Sequence, residues 1–93
     1  MKALAIEYRL RLFSVDSLKE KRKIRQSLIK RLQNKFHISV AETGEQDSFH
    51  VLVIAVALVS NDYTFLRKQA AAIESFLCSY VEFELLDVEQ IQV

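Results

Sequence analysis

Apolar and polar residues alternate with a period of two through residues 2–13, with Leu4, Ile6, Tyr8, Leu10 and Leu12 on one side and Ala3, Ala5, Glu7, Arg9 and Arg11 on the other. That pattern predicts a strand covered on one face. From residue 17 the period changes. Leu18, Ile24, Leu28, Leu32 and Phe36, joined by Ile29, recur at helical spacing and predict an amphipathic helix over 17–36. Ser17 and Glu20 have the spacing of a capping box at its start. The connection Phe13-Ser14-Val15-Asp16 is long enough only for a tight strand-to-helix turn.

Alternation resumes at 37–43, where Ile38 and Val40 oppose Ser39 and Ala41. A turn over 44–47 follows, in which Gly44, the chain's one glycine, offers a cheap positive φ to close a hairpin. The run FHVLVIAVALV at 49–59 is apolar on both faces, as in a central strand covered on two sides. His50, Leu52, Ile54, Val56 and Leu58 form its bulkier set; Val51, Val53, Ala55 and Ala57 form the slimmer one. Ser60-Asn61-Asp62 ends this strand and caps a second helix over 63–80, whose stripe is Phe65 or Leu66, Ala70, Ile73, Phe76, Leu77 and Tyr80. The stretch 81–93 starts as a strand, with Val81, Phe83 and Leu85 facing one way and Glu82 and Glu84 the other. Its alternation slips at Leu85-Leu86, the mark of a bulge.

Strand, helix, strand, strand, helix, strand is the order of an α+β ferredoxin-like βαββαβ sandwich: a four-stranded antiparallel sheet with two helices on one face. Right-handed crossovers place the first and third strands at the centre, in agreement with the doubly apolar third. With 93 residues, the chain is read as one domain with one modest core. No run of about 20 apolar residues is present, so no membrane partner is expected. Cys78 is the one cysteine, and a reducing cytoplasm is the expected location.

The formal net charge of +1 hides a division. Residues 1–36 hold eleven Lys or Arg against three acids, a balance of +8; residues 37–93 hold two against nine, a balance of −7. Lys19, Lys21, Arg22, Lys23, Arg25, Lys30, Arg31 and Lys35 occupy the circumference of the first helix outside its apolar stripe.

SLKEKR at 17–22, RLQNKF at 31–36, SVAE at 39–42, Gln46-Asp47 and VSND at 59–62 together resemble the small bacterial YlxP-like family, a domain of unknown function. The resemblance runs across nearly the whole chain and implies a ferredoxin-like fold. Genes of that family tend to lie among translation and ribosome-maturation genes, which implies a connection to RNA or the ribosome. The chain departs from the family pattern at Ser48-Phe49-His50, which replaces a more aromatic or basic stretch.

The cluster Lys19, Lys21, Arg22, Lys23 and Arg25 is the candidate contact for an anionic partner, because several cations on one rigid face release condensed counterions from a phosphate backbone. The competing reading is a solvated helix face, with Lys19 and Arg22 close enough to pair with Glu45 and Asp47. RNA-binding folds of this topology stack bases on aromatics of the two central strands, and the slim faces here carry none. Any contact with RNA is therefore expected through backbone charge. Small residues on the open sheet face, Ala5, Ala41, Val53, Ala55 and Ala57, are candidate dimer contacts in a sheet-on-sheet homodimer, with Arg9 and Arg11 meeting Glu82 and Glu84.

Chemistry is thin. His37 and His50 are isolated, with His50 read as a satisfied core-edge residue, and Cys78 reads as a small buried hydrophobe. Glu42, Glu45 and Asp47 crowd the hairpin, but their spacing fits no cation loop. The first strand-to-helix connection lacks the glycines of an acylphosphatase phosphate loop. No cofactor, metal or small-molecule substrate is expected. The leading expectation is a non-enzymatic binding protein that contacts RNA or a ribosome-associated partner. The alternatives are a module that docks on an acidic protein surface and an enzyme whose site assembles across a dimer seam.

Overall fold

The computed structural model describes residues 1–91. Six elements follow one another: β1 (Lys2–Leu12), α1 (Leu18–Phe36), β2 (Ser39–Gly44), β3 (Val51–Ser60), α2 (Tyr63–Cys78) and β4 (Phe83–Ile91). The sheet has the order β2-β3-β1-β4 with every neighbouring pair antiparallel. This is the ferredoxin-like arrangement read from the alternation.

Leu4, Ile6, Tyr8, Leu10 and Leu12 of β1 and Leu52, Ile54, Val56 and Leu58 of β3 are buried together beneath Leu28, Leu32 and Phe36 of α1 and Leu66, Ile73 and Leu77 of α2. Each such side chain taken out of water contributes about 1.5–3 kcal/mol, which is what presses the helices on the sheet. Leu66 takes the core position on α2 and leaves Phe65 exposed.

The helix starts are held as their sequences require. Glu20 N–H donates to Ser17 Oγ at 3.2 Å, and Glu20 reaches back to accept from Asp16 N–H at 3.0 Å, one residue earlier than in the usual capping box. Asp62 Oδ1 accepts from Thr64 N–H at 3.0 Å. In β4 the register jumps between Arg9 and Leu10, leaving Leu86 as the extra residue, so the slip in alternation is a bulge.

Several expectations change. Gly44 has no positive φ; it ends β2 opposite Val53, and the left-handed residue of the hairpin is Glu45, with φ 53°. The turn is longer than four residues because β3 begins only at Val51, which leaves His50 exposed outside the core. Val81 likewise lies ahead of β4 and is 84% exposed. Cys78 is exposed, since Leu77 takes the last inward position of α2. The expected continuation of the last strand through 92–93 lies outside the described residues.

Candidate nucleic-acid interface

The basic face of α1 divides into an inner and an outer part. Lys21 is buried to 2% exposure. Its Nζ lies 3.2 Å from Glu42 Oε2 and donates to the backbone carbonyls of Glu45, at 2.6 Å, and Ser48. Arg25 Nη1 donates to the other oxygen of the same carboxylate at 2.9 Å. Lys21 thus pins the β2–β3 turn to α1 and Arg25 pins β2, and both are removed from the candidate surface because the Glu42 carboxylate already pairs with them.

Lys19, Arg22 and Lys23, with Lys30 further along, are exposed and make no ion pair among the described residues. At 3.6 residues per turn they share one outward stripe, about 16 Å long from Lys19 to Lys30. The competing reading, in which Lys19 and Arg22 pair with Glu45 and Asp47, is not what the ion pairs among the described residues show. Glu45 instead meets Arg9 Nη2 at 3.4 Å.

On the open sheet face the register aligns Ala5 with Ala57 and Ser39, Glu7 with Ala55 and Ala41, and Arg9 with Val53 and Gly44. The Arg9–Glu45 pair crosses over β3, as does a 2.7 Å hydrogen bond from Thr43 Oγ1 to Glu7 Oε2. Val53 is only 3% exposed beneath them. It is thus withdrawn from the candidate dimer contacts by its own chain. Ala5, Ala41, Ala55 and Ala57 retain exposure, next to Ala3 and Val59. Arg11 does meet Glu84, with Nε donating to Oε1 at 2.7 Å, whereas Arg9 turns the other way to the hairpin.

The sequence reading missed an aromatic run joining the two helices to β4. Phe36 meets Phe76 edge-on at 5.8 Å, Phe76 meets Tyr80 edge-on at 5.5 Å, and Tyr80 stacks on Phe83 at 4.7 Å. Arg31 and Lys35 lie over these rings. Arg31 Nη1 donates to Tyr80 Oη at 3.2 Å, a bond that raises the guanidinium's pKa further above its ordinary value. The helical stripe of Phe76 and Tyr80 beside Arg31 and Lys35 was the available signal.

No group of three or more His, Cys, Asp or Glu side chains among the described residues could hold a metal. No described helix is long and apolar enough to cross a membrane.

The family model described as "Protein of unknown function (DUF503)" matches residues 4–90. The chain belongs to that family. A DUF503 chain is thus what the SLKEKR and VSND motifs pointed to. It is similar to the "Uncharacterized protein YlxP" of Bacillus subtilis (strain 168), with 33% identity over 73 residues, covering 78% of this chain and 79% of that protein. The DUF503 fold alone assigns no chemistry, so any function must be argued from side chains.

Proposed function

We propose that this protein is a non-enzymatic binding module that contacts RNA, or an RNA-bearing ribosomal partner, through the outer face of α1. The observation that carries the reading is the stripe of Lys19, Arg22, Lys23 and Lys30, which no carboxylate among the described residues neutralises. Rigid unpaired cations on one helix face gain most from a polyanion, because each phosphate they neutralise releases condensed counterions. Lys21 and Arg25 support this face from beneath by holding the neighbouring turn and β2. A reducing cytoplasm fits such a partner.

Co-sedimentation with ribosomal particles at low salt tests the reading. Arg22→Glu combined with Lys23→Glu should abolish it while leaving the circular dichroism spectrum unchanged. The parent's affinity for duplex RNA should fall with salt at a log–log slope of about −3.6, set by roughly four phosphate contacts. Binding that survives the double reversal overturns the proposal. A complex that survives nuclease instead identifies the alternative, docking on an acidic protein surface.

The open sheet face is proposed to seat a second copy. Ala3, Ala5, Ala41, Ala57 and Val59 leave a low apolar floor clear of the bridges over Val53, and Val59 is 68% exposed. A flat floor of this kind is self-complementary under a two-fold axis.

A further inference from the structure

The seam between α1 and α2 carries an open groove of about 550 Å³ that the cation stripe does not use. Arg31, Asn34 and Lys35 line it from α1, Phe76 from α2, and Tyr80 and Val81 from the following turn. A smaller hollow of about 200 Å³ continues it toward Lys23 and Ser27, with Arg31, Tyr80 and Glu82 shared between the two.

Its chemistry is mixed in a specific way. Lys35 Nζ stands 5.6 Å from the Phe76 ring centre, and the Arg31 guanidinium carbon 5.8 Å from that of Tyr80. The one carboxylate of the lining, Glu82, is partly engaged, accepting from Val81 N–H at 3.2 Å. Two cations over an aromatic floor suit a ligand with one anionic part and one planar apolar part. A bare anion would engage the cations alone and leave the half-exposed parts of Phe76 and Tyr80 in water, and a neutral ring would leave the cations without an anion.

We infer that this seam binds one nucleotide of a single-stranded nucleic acid, its base against Phe76 and Tyr80 and its phosphate between Arg31 and Lys35. The inference rests on the proposed function only in taking the nucleotide to be part of a strand. It relocates the stacking platform from the sheet, which lacks aromatics on its open central strands, to the helix layer. Base stacking of this kind tolerates any base, so little sequence preference is expected.

The full chain, labelled with ¹⁵N, would be titrated with uridine 5′-monophosphate, with inorganic phosphate and with decauridylate. The mononucleotide and the decamer should both shift the Asn34 side-chain amide and the backbone amides of 79–82, and phosphate alone should shift them much less. Lys35→Glu and Val81→Asp change exposed positions outside the core, and each should weaken decamer binding about tenfold, with an unchanged amide spectrum elsewhere. Seam amides that stay still under the mononucleotide, or that respond equally to phosphate, overturn the inference. So does decamer affinity within twofold of the parent in both variants. If the seam responds while Arg22→Glu/Lys23→Glu leaves ribosome co-sedimentation intact, the helix-face reading falls and the seam stands; the opposite pair of results removes the seam alone.

Discussion

An ammonium group keeps its charge away from water only where oxygens replace its hydration, and Lys21 has a carboxylate and two carbonyls arranged to do so. Lys21→Met should cost roughly 3 kcal/mol in urea unfolding, because the turn carbonyls would lose their donor and Glu42 would keep Arg25 as its one cation. Lys21→Met combined with Glu42→Leu should recover only part of that loss, because the turn carbonyls still lack their donor and Arg25 loses its carboxylate. This pair could have been read in the sequence. Lys21 stands seven residues before Leu28, in phase with the apolar stripe, and Glu42 follows Ile38 and Val40 in the inward phase of β2. Two opposite charges in apolar phases imply a buried pair, whereas reading charge as surface by default hid it. Tyr8 is a second such residue. It is fully buried, and its hydroxyl has no hydrogen-bond partner among the described residues. Burial, with a smaller contribution from Glu74, raises its pKa. The unfolded phenol therefore ionises first, and the stability tied to the protonated ring is present below pH about 10 and lost above it. Tyr8→Phe should be neutral or stabilising at pH 7 and should flatten the loss of stability between pH 10 and 11, measured by thermal melts.

Strands and helices were legible because their periods of 2 and 3.6 are imposed by burial against one core. The β1 alternation, both helix caps and the β4 bulge each leave a local mark of that kind. Turn geometry leaves a fainter mark, since the β2–β3 turn is held by Lys21 arriving from α1 as well as by Ser48, which donates to the Glu45 carbonyl and accepts from the His50 and Val51 amides. Gly44 illustrates the difference. Its backbone has no positive φ, and a Cβ placed there would meet Val53 Cβ at 3.5 Å, an ordinary contact. Gly44→Ala should therefore be tolerated, with a gain of about 0.4–1 kcal/mol from the stiffer unfolded chain, visible as a higher urea midpoint. A turn that depended on glycine at this position would instead lose stability.

For the molecule as a whole, the division of charge along the chain becomes a division in space only in part. Of the eight cations of α1, four remain in the outward stripe, Arg31 and Lys35 stand exposed over the rings of the seam, and two are consumed by Glu42, while Arg9 and Arg11 are spent on the sheet face against Glu45 and Glu84. Those sheet-face pairs also decide where two copies could meet. They occupy the part of the open face toward the β2–β3 turn, over Val53, and leave Ala3, Ala5, Ala57 and Val59 bare at the opposite end. A stacked dimer seated there puts the Ala57 methyl in the contact, while in the monomer that methyl faces water. Ala57→Arg should therefore leave the monomer's thermal stability within about 0.5 kcal/mol of the parent, as for an ordinary surface change. In a dimer the same arginine would be desolvated against a small-residue floor with no carboxylate opposite, so the mass from light scattering should drop from two chains to one. A mass that is identical in parent and variant places the contact elsewhere. Because α1 lies on the other side of the sheet, a dimer built this way leaves both cation stripes outward on opposite faces, free to engage two segments of one polyanion.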